Sequence, residues 1–146
     1  MFDIDKVDRI VEMFIFDIYI AILKIKKTAS KFDNVQDLLF SYTDWDSVIR
    51  EFEIIGEASR YLLRDKKIDK IHRVVVDFRN IIIHEYFGIE PSEVWDVVYS
   101  DLDNYKNVII DLINNIELDL KTELIDSFIE DNLYLDFVVE KLEKFR

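Results

Sequence analysis

The sequence predicts an all-α protein, an antiparallel bundle of four to five helices. Half of the 146 residues are hydrophobic and 14% are aromatic, which is enough for a substantial core. Two glycines and one proline are too few for the turns of a many-stranded β protein, whereas long helices need few such residues. The length suits one domain, so we assign residues 1–146 to a single helical domain with an acidic helical extension from about residue 117.

The first helix is predicted from about Asp5 to about Ser30, because apolar residues recur there at three- and four-residue steps. Asp3 or Asp5 can cap its start. After a linker, Asp33 or Asn34 is expected to cap a short helix that ends near residue 40.

The second long helix is predicted over about Trp45–Arg64, with Thr43 or Asp44 as its cap. Gly56 lies in its middle, where glycine costs roughly 1 kcal/mol relative to alanine. Together with the small residues at 58 and 59, Gly56 is predicted to let another helix approach closely.

The third long helix, from about Asp69 to Tyr86, contains three consecutive isoleucines and is predicted to lie inside the fold. Gly88 supplies the turn that ends it. A fourth helix is expected to start near Pro91, and one or two more follow in the tail, with a break near Asp131 and Asn132. The apolar face predicted for the third helix comprises Ile71, Val74, Val75, Phe78, Ile81 and Ile82.

A narrow polar stripe follows the same helix, since Arg73, Asp77, Asn80 and His84 fall at i, i+4, i+7 and i+11. Spacing alone favours a solvent-facing edge. A functional groove is the alternative, because an amide, an imidazole and a guanidinium differ from the Lys/Glu mixture typical of a solvated face, and the nearby guanidinium of Arg79 adds to them.

Charge is distributed unevenly. The chain carries −12, yet residues 60–79 hold seven basic and three acidic side chains. This basic segment is either a lysine-rich connection between helices or a local positive funnel for an anionic partner. Lys70 and Arg73 are accordingly weak candidates for RNA contacts.

Several functional classes are disfavoured by composition and spacing. The absence of cysteine excludes disulfides and thiolate metal sites and fits a reducing cytoplasm. We expect no membrane partner, because the run Ile18–Leu23 is too short to span a bilayer and the N-terminus lacks a signal peptide's basic start. Neither a metal site nor a cofactor is expected, since no His-x-x-x-His or Glu-x-x-His pair and no glycine-rich phosphate loop exists.

Arginine and histidine together suit the cleavage of RNA phosphodiesters. Imidazole titrates near neutrality, so it can take a proton from the 2′-hydroxyl or protonate the leaving oxygen. A guanidinium can hold the phosphate and balance charge in the transition state without a metal ion.

Arg79-Asn80, three residues, then His84-Glu85-Tyr86 resembles the Arg-x-x-x-x-His-x-Tyr signature of the HEPN superfamily, and within it the HepT-type toxins that pair with a minimal nucleotidyltransferase antitoxin. The sequence at 53–58, EIIGEA, resembles the IIGEA element of that family, and Tyr86-Phe87 followed by Val94-Trp95 resembles the segment after the signature. The likeness spans about residues 50–112.

The resemblance implies a dimerising all-α bundle and a metal-independent endoribonuclease of a type VII-like toxin–antitoxin pair. It implies that Arg79 and His84 of both subunits line one cleft, with Asn80 at the polar position after the arginine. It also implies that the partner (MntA-type) transferase adenylylates Tyr86 and silences cleavage. The alternative is a non-catalytic helical module that binds the transferase, which the charge of −12 favours slightly. His72 receives no role by resemblance.

Overall fold

A computed structural model of the chain describes residues 9–85 and 88–146, and over these residues it is helical with no strand, as predicted. The α-helices are α1 (Val11–Ala29), α2 (Val35–Phe40), α3 (Tyr42–Arg64), α4 (Arg73–His84), α5 (Pro91–Asp96), α6 (Leu102–Asn114), α7 (Leu118–Asp131) and α8 (Asp136–Glu143). A 3₁₀ turn over Lys70–His72 precedes α4, and a π-helical stretch over Val97–Asp101 joins α5 to α6.

The central helix of the bundle is α1, which is packed chiefly against α3 and α6. Ten of its 19 residues are buried. The helix starts later than predicted, because Ile10 is extended and the first turn begins at Val11. The predicted caps Asp3 and Asp5 lie outside the described residues.

The predicted cap is correct for α2 and wrong for α3. Asn34 caps α2, since its side chain accepts a hydrogen bond of 3.0 Å from the backbone N–H of Asp37. The start of α3 was predicted too late: Ser41 is the cap residue, its carbonyl accepts from the N–H of Trp45, and its hydroxyl donates to the Asp44 carboxylate. Asp44 therefore lies inside the first turn.

The third long helix is shorter than predicted at both ends. Asp69 caps the 3₁₀ turn through a 2.9 Å bond from the N–H of Ile71, and α4 begins only at Arg73. It ends at His84, whereas Tyr86, the predicted end, lies outside the described residues.

The C-terminal part agrees with the predictions. Pro91 is in the first turn of α5, and the helical path continues through α6. The predicted break falls between α7 and α8. Both helices contribute to the same core as α1, through side chains that include Leu124, Ile125, Val138 and Leu142.

The prediction that the third helix is buried is wrong. Only Val76 and Ile82 of α4 are buried, and Ile81 and Ile83 of the isoleucine triplet are both exposed. The reason is that α4 packs mainly against α3, which leaves its outer side exposed.

Candidate functional site

Gly56 lets α4 approach α3 more closely than any side chain at that position would allow. A Cβ built on Gly56 would lie 2.0 Å from the Cβ of Arg79 and 2.4 Å from its Cγ, far inside van der Waals contact. The close helix contact predicted at Gly56 is therefore confirmed, and the residue that meets it is Arg79. The backbone of α3 thereby determines where this arginine side chain leaves α4.

The guanidinium of Arg79 is held by two neighbours. Its Nη2 lies 3.3 Å from Oε2 of Glu57 on α3, and its Nη1 donates to Oδ1 of Asn80 over 3.2 Å. Its Nε is buried and has no hydrogen-bond partner in the structure. The side chain is 29% exposed. Because a guanidinium has five N–H donors, outer Nη donors remain for a ligand after both contacts are made.

Beside Arg79 is a cavity of about 250 Å³ between α1, α3 and α4. Its walls carry three guanidiniums and three carboxylates, and we call it the arginine cavity. Each guanidinium is paired with one of the carboxylates. The N···O distances are 2.8 Å for Arg9–Asp17, 3.4 Å for Arg50–Glu53 and 3.3 Å for Arg79–Glu57.

Asp17 differs from the other acids of the arginine cavity because it projects from the central helix. Burial raises the pKa of its carboxyl above the usual value, and the charge of Arg9 with its hydrogen bond only partly offsets this. Asp17 therefore contributes a costly negative charge to the cavity wall.

His84 is exposed and is the last residue of α4. It follows Arg79 by five residues, about 140° around an ideal helix, so a single chain does not place the two side chains on one side of α4. Asn80 lies one turn before His84 on the same face and also binds Arg79, so it links the arginine to the histidine face.

The two residues predicted to contact RNA weakly lie elsewhere. Arg73 begins α4, about 16 Å along the helix axis from His84, and Lys70 is in the turn before it. Both are exposed. The structure therefore does not bring Lys70 or Arg73 to the arginine cavity. Tyr86 is among the residues that the structure does not describe.

The outer side of α4 carries an exposed apolar stripe. Ile71 just before it is 70% exposed, and Val74 and Ile81 are 65% and 43% exposed. The stripe borders a groove of about 180 Å³ against α3 and α6, whose lining includes Phe52 and Phe78. Neighbouring exposed apolar side chains on one helix are typical of surfaces that contact other proteins.

His72, the other histidine, has a packing role. Its ring lies 5.5 Å from the ring of Tyr105 on α6. The Tyr105 hydroxyl shares a buried 2.7 Å hydrogen bond with the Ser59 hydroxyl, and burial raises the pKa of Tyr105 to about 12.

Neither a metal cluster nor a bilayer-spanning helix occurs within the described ranges, 9–85 and 88–146. These ranges contain no group of three His, Cys, Asp or Glu side chains placed to hold a metal ion. None of the helices found there combines the length and the apolar character needed to cross a bilayer.

Sequence reasoning missed Glu57 and the arginine cavity. Glu57 lies within the EIIGEA segment at 53–58, but nothing local in that segment indicates that its carboxylate faces Arg79. The sequence around Arg9 and Arg50 did not indicate that they lie near Arg79, because this proximity arises from the packing of three helices.

Comparisons with known proteins bear on the family to which the chain belongs. The family model of ribonuclease HepT-like proteins matches residues 18–112. A Methanocaldococcus jannaschii protein provisionally named an RNase is 44% identical over 63 residues, which are 41% of this chain and 58% of that protein. Another provisionally named RNase of that organism is 37% identical over 75 residues, 49% of this chain and 61% of that protein.

A Thermococcus cleftensis protein named "Probable ribonuclease HepT" is 34% identical over 76 residues, 49% of this chain and 67% of that protein. The matches thus span only part of each relative. No solved structure matches the chain significantly.

Proposed function

Because the chain belongs to the HepT-like ribonuclease family of the HEPN superfamily, we propose that it is a metal-independent endoribonuclease with Arg79, Asn80 and His84 at its reactive site. The observation that carries the proposal is the position of Arg79. Glu57 and Asn80 hold its guanidinium while outer Nη donors stay open, and an exposed imidazole follows on the same helix.

The proposed reaction is an internal transesterification of RNA. His84 takes the proton of the 2′-hydroxyl while the 2′-oxygen bonds to phosphorus and the bond from phosphorus to the 5′-oxygen breaks. The products are a 2′,3′-cyclic phosphate and a 5′-hydroxyl. Arg79 binds the phosphate oxygens and stabilises the charge that grows on them.

A homodimer fits this reaction, since one imidazole cannot remove one proton and donate another in the same step. Two copies of His84 in one cleft supply both the base and the acid. The exposed stripe of Ile71, Val74 and Ile81 is the surface that we propose for the dimer contact, because its burial against a second copy removes apolar area from water.

The decisive experiment is RNA cleavage by purified protein in the presence of EDTA. We expect His84→Ala to lower the rate by about 10²–10⁴-fold and Arg79→Ala to cripple it. The matched control is His72→Ala, which removes the other histidine and should retain cleavage. Activity that disappears with chelation, or that survives the loss of His84, contradicts the mechanism.

We extend the proposal to regulation by a partner nucleotidyltransferase, in the manner of a type VII-like toxin–antitoxin pair. Adenylylation of Tyr86, two residues beyond His84, would add a negative phosphate where substrate phosphate binds and would block the site by charge and bulk. Intact-mass and peptide mass spectrometry after incubation with the cognate transferase and ATP test this. Adenylyl groups on other residues, or undiminished cleavage by the modified protein, refute the switch.

A second candidate is a non-catalytic module that binds the transferase. The charge of −12 favours it, because a strongly acidic protein repels RNA. The cleavage experiment separates the two candidates: a folded protein that binds the transferase but never cleaves RNA supports the module.

A further inference from the structure

Five of the seven arginines lie along one face formed by α1, α3 and α4. Three of them line the arginine cavity. Arg60 and Arg64 extend the face along α3, and Arg60 donates to Oε1 of Glu57 over 2.6 Å. Arg60 and Arg79 therefore share one carboxylate, so the arginine face continues directly to the proposed reactive site.

The face also contains a stacked aromatic pair. The rings of Phe14 on α1 and Tyr61 on α3 lie 4.4 Å apart and are tilted by only 7°. The guanidinium carbon of Arg9 lies 5.0 Å from the centre of the Phe14 ring, and those of Arg60 and Arg64 lie 5.2 Å and 4.8 Å from the centre of the Tyr61 ring. Planar cations and aromatic rings thus alternate along the surface.

This chemistry suits unpaired RNA better than a duplex. Unpaired nucleobases stack on aromatic rings and on guanidinium planes, whereas the bases of a double helix are not accessible to such side chains. The nearby carboxylates make the face nearly neutral, so attraction of phosphates alone would not hold RNA there. The surface ion pairs of exposed arginines such as Arg64 are weak, and a phosphate can replace the carboxylate at little cost.

We propose that single-stranded RNA docks along this arginine face, with bases stacked over the Arg64–Tyr61 end and the backbone leading past Arg60 to Arg79. The inference rests on the proposed ribonuclease function and specifies where that enzyme holds its substrate. It places the RNA away from Lys70 and Arg73.

The test measures binding in the His84→Ala protein, which leaves the RNA intact, by fluorescence anisotropy of a labelled mixed-sequence RNA of about 12 nucleotides. The variant is Arg9→Gln with Arg64→Gln, and the matched control is Lys70→Gln with Arg73→Gln. Both remove two positive charges, so a difference between them reports position and not net charge. Thermal unfolding confirms that each variant is folded.

We expect the Arg9/Arg64 variant to bind about tenfold more weakly and to lower the salt slope of log K by about one for each phosphate that it no longer binds. The control should stay within about twofold of the parent. Tyr61→Leu should weaken binding about tenfold, because it removes the ring against which the Arg60 and Arg64 guanidiniums are held for stacking on a base. If instead the Lys70/Arg73 variant loses as much affinity or more, the docking surface is refuted.

The docking surface and the cleavage mechanism fail separately. Unchanged affinity of the Arg9/Arg64 variant overturns the docking surface, even where the wild-type protein cleaves RNA and His84→Ala does not. Wild-type protein that never cleaves RNA overturns the proposed function, whatever the binding experiment shows.

Discussion

The helices α1 and α4 are both rich in branched apolar residues, yet α1 is mostly buried and α4 is mostly exposed to solvent. Ten residues of α1 are buried, whereas Val76 and Ile82 are the only buried residues of α4. The difference comes from their neighbours: α3 and α6 both pack on α1, and α4 has mainly α3. Apolar content therefore does not decide burial. The exposed stripe of α4, on the helix that carries Arg79 and His84, is the surface that we propose for the dimer contact.

The largest contrast should appear when each helix loses one isoleucine. Ile18 of α1 is fully buried, so Ile18→Ala removes packing interactions and leaves a cavity. We expect it to lower the free energy of unfolding by about 2–5 kcal/mol. Ile81→Ala on α4 should cost the isolated chain no more than about 0.5 kcal/mol. Urea unfolding at low protein concentration measures both, and equal losses would show that α4 is covered within one chain.

Most of the helices, and the close helix contact at the site, could be predicted because periodicity and local motifs depend on neighbours along the sequence. The break near Asn132 and the close contact at Gly56 are examples. Local patterns could not tell that Ile81 would remain exposed, since burial depends on which helices pack together. The Glu57–Arg79 ion pair was missed for the same reason, because it joins two helices.

The second prediction removes the close contact between α3 and α4. In Gly56→Ala the new methyl group would overlap Arg79, so the helices must separate or the arginine must move. We expect a loss of about 1–3 kcal/mol of stability from overpacking, although alanine alone favours a helix by roughly 1 kcal/mol. Cleavage should fall with it. Ser47→Ala, at an exposed position of α3, is the matched control and should leave both properties intact. An active, stable Gly56→Ala protein would contradict this account.

The third prediction concerns the exposed stripe of α4. Val74→Asp should change the stability of the single chain by no more than about 0.5 kcal/mol, but it should convert the proposed dimer to a monomer and reduce cleavage at least tenfold. Leu118→Asp is the control, because Leu118 on α7 is 66% exposed and lies outside the stripe. Light-scattering mass and cleavage rate measure the effect. A dimer that survives Val74→Asp but dissociates with Leu118→Asp would place the interface on α7.

The smallest expected effect is electrostatic. It is a difference in the pH dependence of stability between Asp17 in the arginine cavity and Asp44 at the start of α3. Burial raises the pKa of Asp17 in α1, so the folded state binds this proton more tightly than the unfolded chain. Its contribution to stability therefore falls as pH rises from about 3.9 through the raised pKa. Asp17→Asn removes this dependence and should become progressively more stable relative to wild type over that window.

Asp44 in α3 should behave in the opposite way. Hydrogen bonds from Lys31 and Ser41 lower its pKa, so the stability it contributes is present above the unfolded pKa and is lost as pH falls through the folded one. Asp44→Asn should therefore be less stable than wild type at neutral pH and equal to it in acid. Urea unfolding of the three proteins from pH 3 to 7 measures both differences. If Asp17→Asn and Asp44→Asn are both less stable than wild type at neutral pH, the environment assigned to Asp17 is wrong. The Asp17–Arg9 pair then stabilises the fold, and the ionised Asp17 carboxylate does not destabilise it.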